Sequence, residues 1–281
     1  MKTSKTQTVM FITGAFVSHS GWDQWISYFE KLGYNAIAPA WPAKDAPARV
    51  LRNRQPNDHE LVELTLEEVI DHYASIAIRL DEKPIIIGHS LGGLITQVLL
   101  NRGLARAAVA IHSVPPQGIF PYEFTFLRST WKVLGLFSSM NKTYLMSFKD
   151  FQYAFVNGMP VDEQLEAYEK YAIPESKRVA RGGLTSAAAV DFAKKHAPLL
   201  ITAGSEDHVI PAHLSLRNYK KYKKNGSVLD YKEFANSNHS VLTQKGWERD
   251  ADYIATWLEN NMPESIPFYS NGATNVNRFA L

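Results

Sequence analysis

The sequence predicts an α/β fold: a mostly parallel sheet flanked by helices, with one helical cap inserted. Three observations predict it. Short apolar runs alternate with longer stretches of helical period. Four of those runs are apolar almost throughout, as strands buried on both faces of a parallel sheet must be. The alternation then breaks once, from 117 to 197, where 81 residues pass without a strand pattern. That is too long for a plain loop.

The first strand is expected at 9–13. Lys2 and Lys5 ahead of the apolar run 9–17 imitate a secretory leader. A buried strand followed by a glycine turn is the preferred reading, because cleavage near Ser18 would remove residues the chemistry below requires. A helix is expected at 22–32, a strand at 35–38 and a helix at 65–80. Thr65 with Glu68 is a capping-box pattern, in which each side chain satisfies the other's backbone N–H. A strand at 84–88 runs straight into a helix at 91–102, and a strand at 107–111 precedes the insertion. After it come a strand at 198–204, a helix at 212–223, a strand at 229–234 and a helix at 247–260. Lys220, Lys221, Lys223 and Lys224 fall at a helix end, where their charge complements the dipole.

The insertion holds 14 of the chain's 33 aromatic residues, most of them between 120 and 155. A helical cap over the carboxyl edge of the sheet, its inner rings lining a pocket, is the expectation. The domain reading is therefore a core of 1–116 and 198–262, a cap of 117–197, and an irregular tail of 263–281.

Composition removes several function classes. The 281 residues carry 30 Lys plus Arg against 28 Asp plus Glu, a net charge of +2, so no nucleic-acid partner held through phosphates is expected. Hydrophobic residues are 45% and charged residues 21%, enough for a core and unlike a disordered chain. No apolar run approaches the roughly 18 residues of a membrane span. With no cysteine, disulfides, thiolate zinc sites and a cysteine nucleophile are excluded. No glycine-rich phosphate loop or zinc-type histidine pair stands out, so no cofactor and no metal are expected. The expected partner is a small-molecule substrate, the assembly a monomer or homodimer, and the location cytoplasmic.

The segment 84–94 is the informative one. It reads strand, then Gly88-His89-Ser90-Leu91-Gly92, then helix. G-x-S-x-G in that setting is a nucleophile elbow, a tight turn that lifts the serine hydroxyl above the sheet. Glycines at 88 and 92 leave room where strand and helix approach closest. The helix starting after Ser90 turns its free N–H groups and positive dipole end toward the reacting atom.

A serine nucleophile needs a base, and in elbow enzymes the chain order is serine, acid, histidine. His196, His208, His213 and His239 follow at suitable distances, whereas His112 comes too early. His239 lies in a polar loop between the last strand and last helix, on the carboxyl side of the sheet with Ser90. It is the expected base. Asp207, just beyond the strand at 198–204, is the expected acid that orients it. Glu206 is the rival, and Asp230 is less well placed within a strand. The backbone N–H of Leu91 supplies one oxyanion donor. The second comes from the loop after the first strand, with Ala15 the choice and Phe16 the fallback. Phe16, His89, Trp131 and Phe155 are the expected substrate contacts, with His89 directed away from the reaction by the tight turn.

With these motifs in place the chain resembles the α/β-hydrolase superfamily, over nearly its whole length from Val9 to Leu258. The segment 14–25, beginning Gly14-Ala15-Phe16-Val17-Ser18-His19, is similar to plant methylesterases, hydroxynitrile lyases and small bacterial esterases. That resemblance implies an α/β-hydrolase fold with a cap in the usual place and oxyanion donors at Ala15 and Leu91. One departure is Thr13 before Gly14, where the family usually has histidine, which implies altered hydrogen bonding in the loop. The expected function is a serine hydrolase of a carboxylic ester, lactone or related acyl bond, acting through an acyl-enzyme on Ser90. The alternatives are a lyase or cofactor-free oxygenase with His239 as base, or a small-molecule receptor on the same fold.

Overall fold

The structure, a computed structural model, describes residues 7–134 and 139–262. The expected tail at 263–281 lies outside the described residues.

Six strands form one parallel sheet: β1 (Thr8–Ile12), β2 (Asn35–Ile37), β3 (Ile85–His89), β4 (Ala107–Ile111), β5 (Leu199–Gly204) and β6 (Leu229–Phe234). Their order across the sheet is β2-β1-β3-β4-β5-β6. The helices are α1 (Asp23–Lys31), α2 (Ala48–Asn53), α3 (His59–Glu63), α4 (Leu66–Arg79), α5 (Leu91–Asn101), α6 (Phe124–Leu134), α7 (Phe148–Ala154), α8 (Val161–Tyr171), α9 (Lys177–Gly182), α10 (Ala212–Lys221) and α11 (Trp247–Asn261). The fold is that of a mostly parallel α/β sheet flanked by helices, as the sequence predicts. The apolar run that imitates a leader supplies β1, an interior strand between β2 and β3 whose residues Val9 to Ile12 are fully buried.

Alternation along the strands divides the core in two. Met10, Ile12, Ile86, Ala108 and Ile201 face the layer containing α4, α5 and α10. Val9, Phe11, Ile85, Ile87, Val109 and Leu200 face the layer containing α1 and α11. In that second layer Phe11 stacks on Trp22 at 4.6 Å between ring centres, and Trp25 stacks on Phe29 at 6.4 Å.

Parallel pairing fixes where the chemistry sits. Ile12 is in register with Gly88, His89 with Ile111, and Gly204 with Phe234. All the strands therefore end along one edge, so Thr13, Ser90, His112, Ser205 and Ala235 begin neighbouring loops. Between β4 and β5 the described residues form α6 to α9 and a short 3-10 turn at Ser186–Ala188, with no strand of the sheet. Two isolated antiparallel bridges tie this stretch down, Val17 to Ala172 within the β1 loop and Tyr144 to Glu175 within the stretch itself. Helices α2 and α3 in the 48–63 stretch were not evident in the sequence. Each is only about a turn and a half long and starts from its own cap, Pro47 or Asp58.

Candidate active site

Ser90 joins β3 to α5 with φ 59° and ψ −121°, a left-handed backbone that a side chain disfavours by about 1–2 kcal/mol. Hydrogen bonds on both sides hold it there. Its N–H donates to Ile111 O at 3.0 Å, and its carbonyl accepts from Gly93 and Val114, each at 3.0 Å. The flanking glycines are required by contact. A Cβ on Gly88 would lie 2.1 Å from Gly92 O, and one on Gly92 would lie 2.2 Å from Ile12 O.

The elbow serine, the histidine picked by chain order and the aspartate beyond the β5 end meet. Ser90 Oγ is 2.9 Å from His239 Nε2, and His239 Nδ1 is 2.7 Å from Asp207 Oδ2. All three are buried. Asp207 Oδ1 accepts the N–H groups of Val209 and Ile210 at 2.8 and 2.7 Å, which fixes the carboxylate plane. Burial alone would raise the Asp207 carboxyl, but the charges and hydrogen bonds of His239 and His112 outweigh it and hold the carboxyl well below its ordinary value. An ionised carboxylate only accepts, so His239 carries its proton on Nδ1 and presents the Nε2 lone pair to the serine hydroxyl. The loop bearing His239 is itself pinned. Ser240 N–H donates to Phe155 O at 3.0 Å, and Ser237 Oγ donates to Asp250 at 3.1 Å.

Sequence reasoning missed His112. Its Nδ1 lies 2.9 Å from the same Asp207 Oδ2 that holds His239, and it is fully buried. Chain order removed it as a base, yet it stands at the end of β4, next to β5 and hence next to Asp207. That adjacency was the available signal. Asp207, His112 and His239 are also the one group among the described residues with ligand atoms close enough, within 4.8 Å, to hold a metal ion. An ion there would have to displace both hydrogen bonds to Oδ2. His89 is buried with its ring centre 4.7 Å from that of His239, and neither ring nitrogen has a hydrogen-bond partner. Burial, reinforced by His239 and His112, holds its titration well below the usual histidine value, so it stays neutral.

The loop Thr13–Phe16 packs flush on Ser90, since a Cβ on Gly14 would sit 2.7 Å from Ser90 Cβ. Phe16 adopts φ 68° and donates its N–H to Glu175 Oε2 at 3.1 Å. No protein acceptor meets the N–H of Ala15 or Leu91 among the described residues.

A solvent-open cleft of about 590 Å³, counting the solvent space at its mouth, lies over Ser90. Ala15, Phe16 and Leu91 form its floor, and Phe126, Val133, Met146, Phe155 and Ala180 its roof. A smaller recess of about 350 Å³ lies beyond Phe155 and His239, reaching His89, Ser18 and Ser240. The expectation that Trp131 contacts substrate is corrected: it is 70% exposed and lines neither space. Helix α6 turns Phe126, Ser129, Thr130 and Val133 inward, at helical spacing, which puts Trp131 on the outer face. Phe16 and Phe155 line the cleft, whereas His89 lines only the recess.

A model of the alpha/beta hydrolase family matches residues 9–255. Among solved structures, a monoacylglycerol lipase from Paleococcus ferrophilus superposes with a TM-score of 0.66 at 20% identity, covering 91% of this chain and 96% of that one. A methylesterase from Arabidopsis gives 0.62 at 12% identity, covering 91% and 100%. A pyrethroid hydrolase from Sphingobium faniae gives 0.62 at 17% identity, covering 91% and 98%. At these identities the likeness is one of fold. No curated protein matches the chain.

Proposed function

The chain belongs to the alpha/beta hydrolase family, and from that premise we propose that it is a cofactor-free serine hydrolase of carboxylic esters, lactones or related acyl compounds. The observation that carries this reading is the unbroken contact series Ser90–His239–Asp207, at 2.9 and 2.7 Å. In this mechanism Ser90 Oγ attacks the substrate carbonyl carbon while His239 Nε2 takes the hydroxyl proton. Asp207 stabilises the imidazolium and keeps its orientation. The N–H groups of Ala15 and Leu91 hold the oxyanion of the tetrahedral intermediate. Collapse expels the alkoxide, which takes the proton from His239. Water then gives a proton to His239 as its oxygen attacks the acyl carbon. On collapse the bond from that carbon to Ser90 Oγ breaks, Oγ takes the proton back from His239, and the acid leaves.

Segment 117–197 serves as the cap in this reading, closing an apolar cleft over the serine. Among the described residues, the only polar side chains lining that cleft are Ser90, Ser129 and Thr130. An apolar acyl group is thereby favoured over a charged or sugar-like one. Names such as lipase, methylesterase and pyrethroid hydrolase among the structural neighbours support acyl-ester chemistry.

The test is a series of p-nitrophenyl esters from acetate to decanoate, assayed with the wild-type chain and Ser90→Ala. Turnover should rise from acetate to the medium acyl chains and fall at least about a thousandfold in the variant. Chemistry that survives Ser90→Ala but not His239→Ala would instead point to proton abstraction by His239, as in a lyase or cofactor-free oxygenase.

A further inference from the structure

Glu175 is fully buried in the segment between α8 and α9, far in sequence from the loop that abuts Ser90. Its Oε2 accepts the Phe16 N–H at 3.1 Å and pairs with Lys44 Nζ at 2.7 Å, while its Oε1 accepts the Ser176 N–H at 2.9 Å. Lys44 is buried as well, and its ammonium lies 3.8 Å from the centre of the Trp41 ring. Trp41 in turn donates its indole N–H to Thr13 O at 3.1 Å. Both ends of Phe16 are thus held by one strap, because its carbonyl accepts the Ile173 N–H at 2.9 Å. The Thr13 hydroxyl takes no part, since Oγ1 is buried without a hydrogen-bond partner.

We infer that Glu175 is a positioning residue: by taking the Phe16 N–H it fixes the left-handed Phe16 backbone, and with it the orientation of the Ala15 N–H toward the oxyanion. The inference rests on the hydrolase reading above and assigns the device that shapes its oxyanion loop. A left-handed phenylalanine does not hold itself in place, so an acceptor must stabilise it. A buried carboxylate beside a developing oxyanion would oppose the reaction unless its charge were offset. Lys44, paired with it at the same oxygen, offsets that charge. The loop lies against Ser90 so closely that a shift of an ångström would misplace the donor, and misplacement on that scale costs up to about a hundredfold in rate.

Two double variants separate this role from plain structural support, because both remove the charge pair and neither leaves a lone buried ion. In Lys44→Met/Glu175→Gln the amide oxygen can still accept the Phe16 N–H. In Lys44→Met/Glu175→Leu nothing can. With p-nitrophenyl butyrate as probe, the glutamine pair should keep kcat within about threefold of wild type. The leucine pair should lose roughly tenfold to a hundredfold in kcat with KM little changed. Affinity for phenylboronic acid, a tetrahedral mimic, should fall by the same factor. Circular dichroism and thermal unfolding confirm that each variant is folded before it is assayed. Should the leucine pair match the glutamine pair in kcat and boronate affinity, the inference is overturned while the hydrolase reading stands. A wild-type chain that neither turns over the ester nor binds the boronate would overturn both.

Discussion

At the scale of single residues, the decisive fact is that Asp207 serves two histidines with one oxygen and two backbone N–H groups with the other. Asp207→Asn should keep the geometry while favouring the wrong His239 tautomer, lowering kcat about 10⁴-fold in ester assays. The acid response of stability has a defined sign. His89 titrates below 6.5 in the folded chain, so its contribution is complete above pH 6.5 and is lost as pH falls beneath that value. Asp207 titrates below 3.8, so its contribution is intact above pH 3.8 and is lost only in stronger acid. Thermal unfolding followed from pH 7 to pH 3 should show Tm falling from about the first of these values downward. His89→Met should be flatter between them. A Tm that rises on acidification through pH 6 would contradict the assignment of a neutral, buried His89.

At the scale of elements, what the sequence states openly is where a strand hands over to a helix. Strand β3, the glycine-flanked serine and α5 follow one another without an intervening residue to spare, and contact geometry explains both glycines. The Thr65 and Glu68 box at the start of α4 is present as read, with Glu68 N–H donating to Thr65 Oγ1 at 3.3 Å and Thr65 N–H donating to Glu68 Oε2 at 2.8 Å. Thr65→Ala should therefore cost about 1 kcal/mol, lowering Tm by about 2–4 °C in calorimetry with kcat unchanged. Trp131 marks where such reading stops. Aromatic content pointed to a helical cap with inner rings lining a pocket, but choosing the inner face of α6 requires knowing which side meets the sheet, and that is a tertiary fact. His112 is the converse case: its local sequence says little, and only the parallel neighbour β5 brings Asp207 to it.

At the scale of the whole molecule, six parallel strands gather the catalytic candidates at one edge although they are up to 149 positions apart in sequence. The elbow motif, chain order and strand ends pointed to Ser90, Asp207 and His239, and the structure brings these three side chains into contact. The loop-shaping contacts of Lys44 and Glu175 were not legible. They link two segments 131 residues apart whose meeting depends on how the helical insertion settles on the core. The same settling sets the roof of the cleft, so substrate length should be tunable from it. Val133→Trp should fill the space above Ser90 and lower kcat/KM for a decanoate ester by about tenfold or more, leaving acetate within about threefold.

The most direct measurement of the central claim, an activated serine in a formed oxyanion pocket, is labelling of the intact chain with a fluorophosphonate probe, located by mass spectrometry. Rapid, stoichiometric modification of Ser90, abolished in Ser90→Ala and slowed in Asp207→Asn, is the result expected. Folded protein that stays unlabelled, or that is labelled at another residue, would contradict it.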